Sequence, residues 1–351
     1  MLKRSTTLLL AAIHRSFYPV RKEMLINAGC MAFCIALAVF IAKFANFPAP
    51  YWAGVSAMMV VTPTLSGIIR KGLMRLIGTC LGAFLGLMVI KLGIGEMPWL
   101  FFCLLFISIA APLWQMHGSR YPYAWLIGGI TCDMVMLAGL LHPEHTLAYA
   151  QTRALEITIG VTTSMVVYSL LAVVGKVSYQ VEIKEQRSRP LHALAGSRAR
   201  AALVAGLAGC TAAGIWIGCH FTIGIEQSVT SIWVLSYCGT AFDTYHKGLQ
   251  RFAGCAVGGI IGALLLLIPA AFPVFLALVF AVSLVGCMIQ NGPIHGRYFG
   301  LQTAFVFLMI YADAQGSEMI MFRLMSIIAG MILVIGFSYG AAKLARVFLK
   351  V

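Results

Sequence analysis

One carboxylate, Asp133, lies near the middle of a long apolar segment that runs from Tyr123 to Leu141. A charged side chain at the centre of a bilayer costs about 2.5 kcal/mol or more on insertion scales, so such residues normally face the interior of a helix bundle. A carboxyl group in this position could bind and release a proton, which makes Asp133 a proton-coupling candidate. The alternative is a neutral, hydrogen-bonded carboxyl group with a purely structural role.

Four basic residues recur in pairs at the starts of two apolar segments, as Lys71 with Arg75 and as Lys247 with Arg251. We expect them to cap helices at the cytosolic face, where Lys and Arg mark membrane topology. Arg75 and Arg251 would then lie about one turn inside their helices, which would also suit a basic vestibule that collects anions. Asp243, which precedes Lys247, is an alternative partner for these cations.

Further polar residues lie near the ends of the apolar segments, and some of them recur in both halves of the chain. Arg153 and Glu156 have the i, i+3 spacing of a helix-surface ion pair. All of these residues are candidates for lining an anion path; the alternative is that they only satisfy one another's hydrogen bonds. The complete group consists of Gln115, Gln290, Tyr123, Tyr298, Arg153, Glu156 and Arg323.

Two glycine ladders accompany the basic pairs. In each ladder the glycines are spaced i, i+4, i+8 and fall on one face of a helix. Small residues let helix backbones approach closely in a membrane, so the pattern predicts tight helix packing; a moving or substrate-lining surface is the alternative. The ladders are Gly78, Gly82 and Gly86, then Gly254, Gly258 and Gly262.

The composition that surrounds these residues is typical of an integral membrane protein. Of 351 residues, 61% are hydrophobic and 10% are charged, whereas soluble domains carry about 25% charged residues. The net charge of +14 does not indicate nucleic-acid binding, because Lys and Arg lie at segment ends. The ten cysteines are expected to pack as small hydrophobes, and no close cysteine pair predicts a metal or redox site.

Apolar runs long enough to cross a ~30 Å hydrocarbon core predict an all-α membrane protein of about twelve transmembrane helices. The predicted spans are Met24–Phe44, Tyr51–Gly67, Gly72–Ile90, Trp99–Trp114, Tyr123–Leu141, Ala154–Val174, Ala199–Cys219, Ser228–Phe242, Gly248–Ile268, Val274–Ile289, Tyr298–Ala312 and Leu324–Val347. All but four of the 25 Lys and Arg residues fall on one side of this topology. The positive-inside rule therefore predicts that both termini are cytosolic.

An internal repeat accounts for the recurring residues. Residues 71–86 and 247–262 match at seven of sixteen positions, 176 positions apart, which predicts two parallel six-helix repeats. The predicted divisions are a cytosolic or interfacial N-terminal segment (1–23), a first repeat (24–175), a short cytosolic connector (176–198) and a second repeat (199–351). Leu9, Ala12, Ile13 and Phe17 suit one face of a helix on the membrane surface.

Several short motifs are specific enough to compare with a known family. They are Pro50-Tyr51-Trp52-Ala53, Pro63, Lys71-Gly72-x-x-Arg75-x-x-Gly78-Thr79-x-x-Gly82 and Lys247-Gly248-x-x-Arg251-x-x-Gly254. Through these residues the sequence resembles the fusaric acid resistance family, which overlaps the aromatic acid exporters, over nearly its whole length. The resemblance implies export of small, often aromatic, carboxylates across a bacterial inner membrane, together with a periplasmic adaptor protein. Larger members carry a sizeable cytosolic domain between the halves, where this chain has only the connector.

The leading functional hypothesis is therefore secondary-active export of small organic anions. A passive anion channel and a non-transporting membrane scaffold are the alternatives. We expect no enzymatic activity, because no Walker A sequence, HExxH motif, phosphate-cradling glycine loop or nucleophile elbow occurs. The expected partners are the anion, the bilayer and the adaptor, with self-association left open and no nucleic acid, metal or cofactor.

Overall fold

The computed structural model describes residues 2–18, 22–116, 118–174, 195–220, 224–236, 241–313 and 318–349. These ranges are helical throughout, with short connections and no β-strand among them. The helices are α1 (Leu2–Phe17), α2 (Lys22–Phe44), α3 (Tyr51–Val60), α4 (Leu65–Lys91), α5 (Pro98–Met116), α6 (Pro122–Leu141), α7 (Thr146–Val173), α8 (Ala195–Gly218), α9 (Ile225–Ser236), α10 (Ala241–Leu266), α11 (Phe272–Asn291), α12 (Ile294–Asp313) and α13 (Glu318–Leu349).

Nine helices of the described part are long and apolar enough to cross a membrane. They are α2, α4, α5, α6, α7, α8, α10, α11 and α13. Each exceeds the roughly 17 residues that a membrane-spanning helix requires. The chain is therefore a multi-pass membrane protein, as its composition predicts.

Helix α3 is shorter than the span predicted over Tyr51–Gly67, and this prediction is wrong in its second half. The helix has ten residues and ends at Val60, which gives it a length of about 15 Å. Pro63 lacks an N–H group and disfavours a helical conformation at Thr62. The side-chain oxygen of Thr64 then accepts the N–H of Gly67 at 3.2 Å, an N-cap that starts α4 at Leu65.

Helix α9 is also short, with twelve residues. It begins three residues before the span predicted over Ser228–Phe242, while Phe242 itself belongs to α10. Helix α12 has 20 residues but is not among the nine helices that are apolar enough to cross a membrane. Its first two turns carry His295, Arg297 and Tyr298.

Helix α1 packs against protein through the face that the sequence assigns to the membrane surface. Leu9 and Ala12 are buried, and Leu9 forms an apolar cluster with Ile289 of α11 and Phe299 of α12. Phe17, on the same predicted face, remains partly exposed. Small side chains allow this close approach, since Ala12 lies against Gly296.

The chain forms two compact units, and each unit contains segments from both halves of the sequence. Unit 1 comprises Met1–Leu76, Thr152–Ile183 and Leu249–Leu324, and unit 2 comprises Ile77–Gln151, Lys184–Gly248 and Met325–Val351. In unit 1, α2 packs on α11, α3 packs on α12, and both pairs of consecutive helices, α2 with α3 and α11 with α12, are in contact.

Unit 2 has the same pattern of helix contacts as unit 1, but the half of the sequence that supplies each pair of consecutive helices is exchanged. There α5 packs on α8, α6 packs on α9, and the consecutive helices α5 with α6 and α8 with α9 are in contact. This order of contacts favours an internal duplication. The division into repeats over 24–175 and 199–351 stays a prediction, and most of the connector predicted over 176–198 lies outside the described residues.

Candidate functional site

In unit 1, one face of α12 presents a row of side chains to buried arginines. Tyr298, Gln302, Phe305 and Met309 follow one another at i, i+4, i+7 and i+11, which places them on the same side of the helix. We call these four residues the α12 row. From Tyr298 to Met309 the row extends about 16 Å along the helix axis.

Arg251 of α10 is held by the first half of the α12 row. Its Nη1 atom donates to the hydroxyl oxygen of Tyr298 at 2.8 Å and lies 3.4 Å from the side-chain oxygen of Gln302. Only 3% of Arg251 is exposed. Two predicted path residues, Arg251 and Tyr298, are therefore in direct contact.

Arg75 of α4 is buried to the same degree and contacts the short helix α3. Its Nε and Nη2 atoms donate to the Ser56 hydroxyl at 3.3 and 3.1 Å. The prediction that Lys71 and Arg75 cap their helix is wrong, because α4 begins at Leu65, where Thr64 provides the N-cap. The same correction applies to Lys247 and Arg251, because α10 begins at Ala241.

The second half of the α12 row contacts Arg323 and the ring of Trp52, which in turn lies against Arg153. The guanidinium of Arg323 lies 4.5 Å from the ring centre of Phe305, and that of Arg153 lies 4.1 Å from the ring centre of Trp52. The Trp52 and Phe305 rings meet edge to face, with centres 5.9 Å apart. Arg323 also approaches the Met309 sulfur through Nη1 at 3.3 Å. Cation–π contacts of this kind stabilise a desolvated guanidinium.

Positive charge predominates among the buried side chains of unit 1. Within its described residues, the buried charged side chains are those of Arg75, Arg251, Arg323 and Glu156. Glu156 accepts the backbone N–H of Ala49 at 2.7 Å. One carboxylate therefore accompanies three buried guanidinium groups, and such an interior favours an anion over a cation.

A cavity of about 280 Å³ adjoins the α12 row where that row begins. It lies wholly within unit 1, and the extended stretch after α3 forms part of its wall. Two predicted path residues, Gln290 and Tyr298, line it. The full lining consists of Asn27, Met31, Val61, Thr62, Pro63, Gln290, Asn291, Arg297, Tyr298 and Leu301.

Asp133 belongs to unit 2, where it is 2% exposed. The indole N–H of Trp233 on α9 donates to Oδ2 at 2.6 Å, and the Ser108 hydroxyl lies 2.5 Å from Oδ1. The Ser108 oxygen is also 2.8 Å from the carbonyl oxygen of Leu105. Gly129 makes room for the indole, because a Cβ atom there would overlap the Trp233 ring.

This geometry accommodates either protonation state of Asp133. A serine hydroxyl carries a single proton, with two acceptors within reach. When Asp133 is ionised, Ser108 can donate to Oδ1; when Oδ1 carries a proton, Asp133 can donate to Ser108, which then donates to Leu105. Asp133 could therefore bind and release a proton without leaving one of these buried polar groups unsatisfied.

The glycine ladders make closely similar contacts in the two units. In unit 2, a Cβ atom on Gly82 would overlap the carbonyl oxygen of Gly128 on α6. In unit 1, a Cβ atom on Gly258 would overlap the carbonyl oxygen of Thr303 on α12. Gly78, Gly86, Gly254 and Gly262 lie on the same two helix contacts. The geometry favours the predicted packing role.

The remaining predicted residues are distributed between the units. Gln115, Tyr123 and Lys247 belong to unit 2, and Gln115 is exposed, whereas Lys71 belongs to unit 1 and is partly buried. The predicted i, i+3 partners Arg153 and Glu156 contact Trp52 and Ala49, respectively.

Sequence reasoning missed several residues of both sites. Trp233 had a usable signal, because a buried indole N–H needs an acceptor and Asp133 is an obvious one. Arg297 is one of the 25 Lys and Arg residues from which the topology is predicted, and no pattern distinguishes it as a site residue. Ser108 and Asn27 have no sequence pattern that distinguishes them from other polar residues in apolar helices.

Comparison with known proteins finds similarity to membrane transporters over part of the chain. An uncharacterized transporter, YdhK, of Escherichia coli strain K12 is 30% identical over 135 residues, which make up 37% of this chain and 20% of YdhK. YdhK of Salmonella typhimurium is 32% identical over 135 residues, covering 37% of this chain and 19% of that protein.

The p-hydroxybenzoic acid efflux pump subunit AaeB of Escherichia coli strain K12 is 27% identical over 145 residues, covering 38% of this chain and 22% of AaeB. The chain thus matches only about a fifth of the length of these relatives. No solved structure matches the chain.

Two family models match successive parts of the sequence. The model described as the fusaric acid resistance protein family matches residues 30–182, and the model described as fusaric acid resistance protein-like matches residues 227–337. These segments contain the α12 row, its buried arginines, Asp133 and Trp233. The chain belongs to the fusaric acid resistance protein family.

Proposed function

We propose that this protein exports small organic anions, in particular aromatic carboxylates, across a bacterial inner membrane by secondary-active transport. The observation that carries the proposal is the excess of buried guanidinium groups in unit 1, where Arg75, Arg251 and Arg323 accompany one buried glutamate. A charged side chain buried within a membrane is costly, and such side chains normally pair with another group or line a substrate pathway. An anion that moves along the α12 row would be attracted by these groups.

The aromatic part of the proposed substrate is supported by the rings that accompany the arginines. Trp52 and Phe305 stand between Arg153 and Arg323. An aromatic carboxylate that moves along the α12 row could contact an aromatic ring and a guanidinium group in turn. The similarity to a p-hydroxybenzoic acid efflux pump subunit points to the same substrate class.

Asp133 is the proposed proton-coupling residue. Its two neighbouring donors, Ser108 and Trp233, fit either the ionised or the protonated carboxyl group. A group that changes its charge in this way can couple a proton gradient to a conformational change. The purely structural alternative predicts that removal of the charge leaves transport unchanged.

Two other functions remain candidates on specific observations. A passive anion channel would use the same buried arginines, and an interior-negative potential would drive export at about 2.3 kcal/mol per charge per 100 mV. A membrane scaffold would use the close helix contacts of Gly82 and Gly258.

A periplasmic adaptor is a proposed partner of the exporter, because AaeB is a pump subunit. Self-association of the chain is also compatible with the proposed export function.

Flux measurements in proteoliposomes separate these functions. Labelled 4-hydroxybenzoate is loaded, and a pH gradient or an electrical potential is imposed separately. The exporter predicts flux that a pH gradient alone drives against the anion's own concentration gradient. Flux that follows only the potential supports the channel. If neither force drives flux above protein-free liposomes, with or without a co-reconstituted adaptor, the transport proposal is wrong.

A further inference from the structure

The cavity of unit 1 has a basic group, a buried acceptor and an apolar wall. Its volume of about 280 Å³ lies just below the range for small-molecule pockets, which begins near 300 Å³. Val61, Pro63, Met31 and Leu301 supply apolar surface. The break between α3 and α4 exposes this surface, because the chain is extended at Val61. Sites formed beside interrupted helices are common in transporters.

Arg297 supplies the positive charge of the cavity. Its Nε atom donates to the carbonyl oxygen of Gly292 at 2.9 Å, which fixes the plane of the guanidinium. No other hydrogen bond joins Arg297 to a described residue, so its two terminal nitrogens have no partner within the described part of the chain. A guanidinium held in this way matches the two oxygens of a carboxylate.

Gln290 supplies an acceptor that the described part of the protein leaves unsatisfied. Its side-chain oxygen is buried and has no hydrogen-bond partner among the described residues. A buried acceptor of this kind is costly unless a ligand or water satisfies it. A ligand that carries a hydroxyl donor would satisfy it.

We infer that this cavity binds a small hydroxylated carboxylate, with the carboxylate on Arg297, the hydroxyl on the Gln290 oxygen, and the carbon skeleton against Met31, Val61 and Leu301. The inference rests on the proposed export function and names the substrate class and its binding site. Tyr298, which lines the cavity and contacts Arg251, connects this site to the α12 row.

Equilibrium binding to the purified protein in detergent tests the inference without requiring transport. The probes are 4-hydroxybenzoate, 3-hydroxybenzoate and benzoate, titrated by calorimetry. Wild type is expected to bind at least one hydroxybenzoate more tightly than benzoate. The variant Arg297→Gln is expected to weaken binding of all three probes by about tenfold or more, because charge-assisted hydrogen bonds are lost.

The variant Gln290→Leu is expected to remove the preference for the hydroxylated probes while leaving benzoate binding within about threefold of wild type, because only the acceptor is lost. The matched controls are Arg200→Gln and Gln151→Leu, which replace exposed residues outside the cavity lining. Thermal unfolding and the elution profile of each variant report whether it folds.

The binding site is overturned if folded Arg297→Gln and Gln290→Leu bind the probes as wild type does, or if wild type binds neither hydroxybenzoate. A wrong binding site can be distinguished from a wrong export function. Binding that depends on Arg297, together with an absence of flux in proteoliposomes, would retain the site and reject export. Flux without such binding would retain export and reject the site.

Discussion

At the scale of single residues, Asp133 is the group whose surroundings accommodate a change of charge. Ser108 can donate to the ionised carboxylate or accept from the protonated acid, whereas the indole of Trp233 donates in both cases. An asparagine at this position preserves volume and can still accept from Trp233, but it cannot bind and release a proton.

We therefore predict that Asp133→Asn folds and still conducts potential-driven flux but loses flux driven by a pH gradient. Proteoliposome flux under each driving force provides the measurement. Glu144→Gln, which neutralises a carboxylate that is 61% exposed, is the matched control and should behave as wild type. Persistence of pH-driven flux in Asp133→Asn would assign the residue a structural role.

The position of Asp133 within an apolar segment is readable from the sequence, but its partners are not. Trp233 is 100 positions away, and hydropathy carries no information about which helices meet. Arg297 shows the same limit. Its side chain counts as a topology charge until the fold places it beside Gln290 and the end of α3 in one cavity.

At the scale of helices, close contacts at the glycine ladders join α4 to α6 in unit 2 and α10 to α12 in unit 1. A side chain on Gly82 or Gly258 would meet a backbone carbonyl oxygen, which cannot move away as a flexible side chain can. The helices would have to separate instead.

We predict that Gly82→Ala and Gly258→Ala each destabilise the protein by about 1–3 kcal/mol, the usual cost of overpacking. The midpoint of thermal unfolding in detergent would fall accordingly. Gly336→Ala and Gly29→Ala are the controls, because a Cβ atom at either position meets no atom within 4 Å. Equal stability of all four variants would contradict the packing role.

Helix existence is largely predictable from apolar length, whereas helix ends depend on local chemistry. The end of α3 at Val60 and the start of α4 at Leu65 follow from Pro63 and from the Thr64 cap. The span predicted over Tyr51–Gly67 crosses this break, because mean hydropathy does not mark where a helix ends. The basic residues Lys71 and Arg75 consequently lie inside α4 rather than at its end.

At the scale of the whole molecule, each compact unit combines helices from both halves of the sequence. In unit 1, α2 and α3 pack on α11 and α12; in unit 2, α8 and α9 pack on α5 and α6. The duplication is suggested by matching residues, but this exchange is not, because periodicity within a segment does not specify its long-range partner.

The proposed topology makes a separate prediction. In a background without native cysteines, Glu96→Cys and Glu144→Cys should react with an impermeant thiol reagent from outside spheroplasts. Ser119→Cys should react only after the membrane is permeabilised. This pattern follows from the positive-inside rule, and the opposite labelling pattern would reverse the orientation.

The central proposal, that anions cross by way of the buried arginines of unit 1, is tested most directly at Arg251. Flux of labelled 4-hydroxybenzoate is compared in proteoliposomes that contain wild type, Arg251→Gln or the exposed-site control Arg200→Gln. We predict that Arg251→Gln retains its fold and that its flux falls by about tenfold or more, because the guanidinium beside Tyr298 and Gln302 is removed. The control should match wild type. Undiminished flux through folded Arg251→Gln would contradict the proposal.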